Sequence, residues 1–308
     1  MSYNFMYFLE AIPGDVAQGL IWGIMALGVY ITYRILNFAD LTVDGSFATG
    51  GATAVVLILD GVPAPIAVLA AFGVGLLAGL CTGLLHTLLG IPDILSGILM
   101  QIALYSINLN IMGMANVAVS VNKYSLVMSS RYIGTAIPVG LIFIAAVMII
   151  LYWYFGTEQG SAIRATGNNP AMSRAQGINI NAMKVLALSF SNGLVAMAGG
   201  LFAQYQGFAD INMGRGSIVI GLAAVIIGEV LGNAIFRKGM NFMVRMIFVA
   251  VGSIIYYIVI GFVLWLRMPT DDLKLFTAII VAVFLAIPYL KNQAGHSFGA
   301  AARKGAKK

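Results

Sequence analysis

Charged residues are scarce in this chain. Asp, Glu, Lys and Arg make up only 9% of its 308 residues, whereas soluble domains carry about 25%. Hydrophobic residues make up 60% of the chain, compared with roughly 45 to 50% in soluble domains. This composition excludes a water-soluble globular protein and indicates an integral membrane protein.

Residues with catalytic or metal-binding chemistry are also few. The single cysteine, Cys81, excludes an internal disulfide. His86 has no Cys, His or carboxylate around it at the spacing that metal ligation requires, so no metal site is predicted. No Ser/His/Asp constellation or Cys/His dyad emerges either. We therefore predict no catalytic residues, and a protein that is not an enzyme.

A nucleotide-binding motif is missing as well. A phosphate-binding P-loop needs the pattern G-x-x-x-x-G-K-[ST], and no such string occurs in the chain. The nearest candidate, GNAIFRKG at 232–239, lacks the required ending. The sequence thus predicts no cofactor in this chain, and any ATP must be bound by another protein.

Long apolar blocks are what the chain has instead. About 20 helical residues cross the hydrocarbon layer of a membrane, and helices are favoured because the backbone in lipid must satisfy its own hydrogen bonds. We predict an all-α polytopic membrane protein with about nine transmembrane helices, eight and ten remaining open, in a domain over 1–290 followed by a basic cytoplasmic tail over 291–308. The nine blocks lie near residues 14–35, 44–60, 63–89, 94–114, 136–156, 183–206, 216–233, 243–266 and 274–290.

The basic residues predict the orientation, because Lys and Arg concentrate in cytoplasmic loops. If the polar loop 157–182 is inside, twelve of the seventeen Lys and Arg residues lie on that side. The N-terminus is then outside and the C-terminus inside. The net charge of +6 is explained by this bias and by the tail near anionic lipid, so no nucleic-acid partner is predicted.

The loop 157–182 contains the signals of a short helix. Asn169 is a good N-cap, Pro170 suits the first helical position, and Gly177 suits a left-handed stop. A helix of about two turns is marginal in water and needs a surface to lie against. That surface is either the bundle itself or a polar groove of another protein, and the polar residues of the segment favour the second interpretation.

An internal similarity suggests an inverted repeat. The stretch DLTVDGSFATGGATAVV (40–56) resembles DINMGRGSIVIGLAAVI (210–226) with one insertion: each has an Asp, a polar turn, Gly-Ser, then Gly four residues after the Ser and Ala two beyond that. The predicted topology puts the first near the inner side and the second near the outer side. Inverted repeats commonly frame a translocation path, although chance similarity among small residues is the alternative.

Polar residues within the apolar blocks are candidates for that path, because intramembrane polar groups usually face protein or water. Asp44 and Ser46 lie in an interrupted segment, where the alternative is that the Asp44 carboxylate only caps the helix that follows. A second group recurs at helical spacing and so shares one helix face; its alternative role is polar contact between helices. This group consists of Gln101, Tyr105 and Asn108 on the fourth block, with Asn192 on the sixth.

Several strings resemble a known family, the permease subunits of bacterial ABC importers of the branched-chain amino acid and ribose class. They are GSAIRATGNNPAMSRAQGINI, SFSNGLVAMAGGLFAQYQGFADINMG and IVIGLAAVIIGEVLG. Two others, LGVYITYRILNFADLTVDGSF and ALYSINLNIMG, are similar to the branch of amino-acid permeases that operate with binding lipoproteins of the tryptophan/tyrosine type.

The resemblance runs from about residue 15 to 290 and implies a function. Such a permease lies in the bacterial cytoplasmic membrane and works as a pair, here a homodimer, with ATPase subunits that bind ATP and Mg²⁺ and with an extracytoplasmic solute-binding protein. The solute it implies is an aromatic or branched-chain amino acid. The alternative is a secondary transporter or channel that uses no ATP, for which Asp44 and Glu229 are the only side-chain candidates for ion sites.

The resemblance also implies a coupling helix. In that family the loop matching 160–180 holds a helix that docks into the ATPase. The residues predicted to contact the ATPase are Arg164, Asn168, Asn169, Pro170, Met172, Arg174, Gln176 and Gly177.

Overall fold

The structure is a computed structural model that describes residues 5–236 and 240–266, with a few further positions between 275 and 286. It consists of helices and one pair of short strands. The elements are α1 (Phe5–Tyr30) continued by a π-helical turn (Ile31–Ile35), α2 (Thr42–Leu59), α3 (Ala64–Thr87), α4 (Asp93–Met112), β1 (Asn116–Ala118), α5 (Ile133–Gly156), α6 (Glu158–Asn168), α7 (Pro170–Ala175), α8 (Ile180–Gln206), β2 (Phe208–Asp210), α9 (Ser217–Ile235) and α10 (Phe242–Trp265).

The prediction of an all-α membrane protein is confirmed. Within the described residues, eight helices are long and apolar enough to cross a membrane, namely α1 to α5 and α8 to α10. They coincide with the first eight apolar blocks of the sequence. The ninth block, 274–290, and the tail 291–308 lie largely or wholly outside the described residues.

Helix α8 is at the centre of the bundle. All its residues from Ser191 to Tyr205 are buried, and small residues let its neighbours approach closely. A methyl group on Gly199 would collide with the backbone of Phe47 in α2, and one on Gly75 of α3 would collide with the backbone of Asn192. Close backbone approach at small residues is the usual way in which membrane helices pack.

Hydrogen bonds between helices set their relative directions. Ser191 and Tyr205 of α8 donate to Gly28 and Gly14 of α1, so α1 and α8 are antiparallel. Ser253 of α10 donates to Gly19 of α1, and close backbone contacts at glycines add to this, so α10 is antiparallel to α1 and α9 is antiparallel to α10. We refer to the end of the bundle that carries β1 and β2 as the β end, and to the opposite end as the α7 end.

Helices α2 and α9 both begin inside the bundle. Ser46, in the first turns of α2, donates to Asn192 at the middle of α8 with an O–O distance of 2.6 Å. The start of α9 is at the same level, because Gly221 packs against Met25 and Val29 of α1, next to the Gly28 contact of α8. From this junction α2 runs toward the β end and α9 toward the α7 end.

The two similar stretches of sequence have the same local structure. Asp40 accepts a hydrogen bond from the backbone of Thr42 at 2.9 Å, and Asp210 accepts one from the backbone of Asn212 at 2.7 Å. Each aspartate thus forms the same two-residue turn shortly before α2 or α9. Because these helices start at one level and run in opposite directions, the structure supports the predicted inverted relation.

Candidate functional site

The predicted short helix is present at the α7 end, with the predicted boundaries. The Asn169 side chain accepts a hydrogen bond from the Met172 backbone at 3.0 Å, Pro170 is the first helical residue, and Gly177 has a φ of +82°. A left-handed backbone of this kind suits glycine and strains a β-branched residue. Local sequence chemistry therefore determines where α7 begins and ends.

A second helix, α6, holds α7 in place, although the sequence analysis treated this stretch as loop. Ile163 is 0% exposed. Gly167 lies directly against the backbone of Ile35, where a methyl group would collide with the Ile35 carbonyl. Helix α6 is thus packed on the π-helical turn that ends α1.

The predicted ATPase-contact residues divide into two groups. Arg164 points back to the bundle, where it donates to the Phe155 carbonyl at 2.8 Å and to Ser161. The others are exposed on or beside α7. Met172 is 58% exposed, and Gly177 offers only its backbone. The exposed group contains Asn168, Asn169, Pro170, Met172, Arg174, Gln176 and Gly177.

A cavity of about 370 Å³ lies where α2, α4 and the segment 211–216 meet. We call it the central cavity. It brings together four of the six residues predicted for a translocation path, since Asp44, Gln101, Tyr105 and Asn108 all line it. The shared face that the spacing on α4 predicts therefore exists.

Asp44 has a partner that the sequence analysis did not anticipate. Its carboxylate accepts hydrogen bonds from the backbone of Gly216 and Ile218 and from the Ser217 hydroxyl, all at 2.9 to 3.0 Å. These groups form the N-terminus of α9, so Asp44 caps α9 rather than its own helix. The negative charge is favourably placed at the positive end of the α9 dipole.

Ser46 and Asn192 are brought together, but away from the central cavity. Asn192 accepts from Ser46 and donates to Asp40 and to the Leu188 carbonyl. Ser46 and Asn192 are 0% exposed and Asp40 is 2% exposed, so the group is a buried polar network between α2 and α8. The sequence analysis assigned no role to Asp40, although an aspartate two residues before the start of a helix is a capping signal.

Two features of the central cavity were missed. Arg215 and Asn212 line it from the segment before α9. Asn108 is 1% exposed, and neither atom of its amide has a hydrogen-bond partner in the structure.

The α7 end carries a second cavity, of about 430 Å³, between α1, α6 and α10. Arg34, Arg164 and Arg245 line it. Arg34 forms an ion pair with Glu229, with an N–O distance of 2.7 Å. The Glu229 carboxylate is therefore paired with an arginine at the α7 end of the bundle. Among the residues that the structure describes, no group of His, Cys, Asp or Glu is arranged to hold a metal ion.

The helical bundle, the two helices α2 and α9 that begin inside it, and its polar cavity define a class of protein, a multi-pass membrane permease. The chain belongs to the family described as branched-chain amino acid transport system / permease component, which matches residues 15–288. It is thus an ABC-type permease, a transport subunit rather than an enzyme, as the sequence resemblance implied.

Several named relatives cover most of the chain. A tyrosine transport system permease protein of Clostridioides difficile (strain R20291) is 41% identical over 280 residues, which is 90% of this chain and 91% of that protein. The ribose import permease protein RbsC of Escherichia coli (strain K12) is 26% identical over 237 residues, 74% of this chain and 71% of that protein. No solved structure matches the chain.

Proposed function

We propose that this chain is the membrane-spanning subunit of an ATP-driven importer that carries an amino acid with an aromatic or branched side chain. Two copies form the path, ATPase subunits bind ATP and Mg²⁺ in the cytoplasm, and an extracytoplasmic binding protein delivers the solute. Family membership supports the permease role. Similarity to a tyrosine transport system permease supports an amino-acid solute.

The observation that carries the proposal is the exposure of α7. A six-residue helix is too short to be stable by itself in water, yet α7 has both of its ends defined and rests on α6. Only Ser173 of this helix is buried. Its other side chains are exposed, as expected of a surface that binds another protein.

The chemistry of α7 suggests what the ATPase must offer. Met172 is a flexible apolar side chain and is 58% exposed, so it suits an apolar pocket. Arg174 is exposed, and no carboxylate lies within salt-bridge distance of it among the described residues. The complementary surface is a groove with an apolar floor and an acidic rim.

Contacts connect α7 to the central cavity. Helix α6 continues into α7 through Asn169 and packs on Ile35 through Gly167. From Ile35, six residues lead to the start of α2, where Asp44 lines the cavity and caps α9. Closure of the ATPase dimer would shift α6 and α7 against the end of α1 and so change the packing at the α2 and α9 junction.

The proposed assembly also has an orientation and a second copy. The α7 end is cytoplasmic, since the basic loop 157–182 lies there and Lys and Arg favour the inside.

Helix α4 exposes Tyr105, Ser106 and Asn110 within its membrane-spanning stretch. Such polar groups face protein or water rather than lipid, and a second copy of the chain would supply both.

The test combines two variants in a reconstituted system with a candidate partner ATPase that supports uptake by the wild-type chain. Gly177→Val strains the left-handed end of α7 by roughly 1–2 kcal/mol, and Arg174→Glu inverts a charge on its exposed face. Both variants should insert and keep the thermal stability of the isolated permease, but lose ATPase binding and ATP-driven uptake. Lys304→Glu in the tail is the control for charge, and Gly177→Asn, which tolerates a left-handed backbone, is the control for strain.

A surface ion pair by itself contributes only about 0–1 kcal/mol, so complete loss in Arg174→Glu would indicate a desolvated contact. Variants that bind the ATPase and turn over like Lys304→Glu would remove the coupling role from α7. Uptake by the wild-type chain that follows an imposed ion gradient and ignores ATP would instead establish a secondary transporter.

A further inference from the structure

The central cavity has the size and the position of a solute site. Its volume of about 370 Å³ falls within the roughly 300–1,000 Å³ of small-molecule sites. It lies at the level where α2 and α9 begin, next to Asp44 and Gly45 of α2 and to Gln101 and Tyr105 in the middle of α4. Transporter sites are commonly found where interrupted helices meet near the middle of the membrane.

The charges of the cavity leave one cation available. Asp44 is engaged by three donors at the start of α9, so its charge is already balanced locally by that helix end. Arg215 also lines the cavity. Within the described residues the only ion pair is that of Arg34 with Glu229, and Arg215 therefore has no carboxylate within salt-bridge distance there.

Asn108 provides an independent indication of a ligand. It lines the cavity and is 1% exposed, yet its amide nitrogen and its carbonyl oxygen both lack hydrogen-bond partners. A buried polar group without a partner costs about 1–3 kcal/mol. Such groups in native proteins require a specific explanation, and a functional role is a common one.

Another asparagine of the same bundle serves as an internal comparison. Asn192 is also fully buried, but its oxygen accepts from Ser46 and its nitrogen donates to Asp40 and to the Leu188 carbonyl. The fold can therefore satisfy a buried asparagine completely where that residue joins helices. At Asn108 the buried donors and acceptor have no partner, and the residue lies on the wall of a cavity.

We propose that the central cavity binds the zwitterionic head group of an α-amino acid during transport, an inference that rests on the proposed importer function. Arg215 and the amide nitrogen of Asn108 donate to the solute carboxylate, since guanidinium groups match carboxylates well. The carbonyl oxygen of Asn108 accepts from the solute ammonium group. Tyr105, three residues before Asn108 on α4, lies beside the solute side chain. A sugar would leave Arg215 without a charged partner.

The first test uses the purified full-length permease and measures thermal unfolding with L-tyrosine, with tyramine, which lacks the carboxylate, and with ribose. L-tyrosine should raise the unfolding temperature of the wild-type chain, whereas tyramine and ribose should not. Arg215→Gln should abolish the shift. Arg131→Gln is the matched control, because Arg131 is exposed and its guanidinium group donates to Asn122 on the β-end side of the chain, away from the central cavity.

Asn108→Leu separates a binding role from a structural one. Leucine is close to asparagine in shape, and it removes the unpartnered polar atoms, so the unfolding temperature without ligand should stay the same or rise. The stabilisation by L-tyrosine should disappear, and ATP-driven uptake should fall on the order of tenfold or more, as expected when hydrogen bonds to a charged group are lost. A lower unfolding temperature without ligand would make Asn108 a structural residue and would overturn the assignment.

Other outcomes separate this inference from the proposed function. Equal stabilisation by L-tyrosine and tyramine, or stabilisation by ribose alone, would overturn the zwitterion site. Normal uptake with unchanged KM in Asn108→Leu and Arg215→Gln would also overturn it, while leaving the importer function intact. If the wild-type chain shows no ATP-driven uptake although L-tyrosine stabilises it, the site stands and the importer function fails.

Discussion

Helices α4 and α5 are equally peripheral in the bundle but differ in chemistry. In each of them only 28% of the most apolar stretch is buried, yet the mean hydropathy is 1.5 for α4 and 2.6 for α5. Helix α5 exposes large apolar side chains such as Ile142 and Trp153. Helix α4 exposes Ser106 and Asn110 among its apolar residues.

This difference indicates what each helix faces. Lipid tails suit the surface of α5, whereas exposed amides and hydroxyls at membrane depth are costly in lipid. The polar side of α4 therefore faces protein or water, and the central cavity lies against it. Two helices that are equally exposed in the single chain thus correspond to two different environments in the membrane.

The largest expected effect comes from placing a lysine on each helix. Ile142 of α5 is 67% exposed and Ile102 of α4 is 64% exposed, and both lie near the middle of their helices. Lysine at the centre of a lipid-facing helix costs about 2.5–3.5 kcal/mol in insertion. Ile142→Lys should therefore lower the membrane yield and the unfolding temperature, while Ile102→Lys should insert normally and impair uptake.

Membrane expression, size-exclusion profiles and thermal unfolding of the two variants provide the measurement. Ile142→Gln and Ile102→Gln repeat the comparison without a charge and should show the same order. If both lysine variants are lost from the membrane to the same degree, α4 faces lipid, and its polar side chains are contacts between helices.

A smaller effect is expected when the polar face of α4 is truncated. Gln101→Ala removes a side chain that lines the central cavity, and a hydrogen bond contributes about 0.5–1.5 kcal/mol. Uptake should therefore fall by up to about tenfold, while ATPase binding and the unfolding temperature stay at wild-type values. Ile142→Ala on α5 is the control and should leave uptake unchanged. Equal uptake in the two variants would make Gln101 a packing residue.

The sequence predicts the parts of this structure that depend on local chemistry. Apolar blocks identify the eight described spans, and Asn169, Pro170 and Gly177 identify the ends of α7 because caps and left-handed stops act within a few residues. Helix α6 was missed because its stretch is mostly polar, with Ile163 as its only large apolar residue. Its position depends instead on the tertiary packing of Ile163 and Gly167.

The central cavity was only half predictable. Gln101, Tyr105 and Asn108 share a face through helical spacing, which a sequence displays directly. The hydrogen bond between Asp44 and Gly216 joins residues that are 172 positions apart, and no local sequence pattern predicts such a pair. The similar Asp turns at 40–42 and 210–212 were the one long-range signal, and they indicated which two helix starts to compare.

The mildest test of the comparison asks which of the two helices is in contact with water. In a Cys81→Ala background, needed because Cys81 is exposed, Ser106→Cys on α4 should react with a membrane-impermeant thiol reagent, because thiolate forms only where water reaches the sulfur. Ile142→Cys on α5 should stay unmodified until the membrane is dissolved in detergent, since lipid surrounds it. Both variants should import solute normally before labelling, and modification at Ser106→Cys should then block uptake. Rapid labelling of Ile142→Cys in intact membranes would place α5 beside water, and labelling of neither would put the polar face of α4 in a dry contact between two copies of the chain.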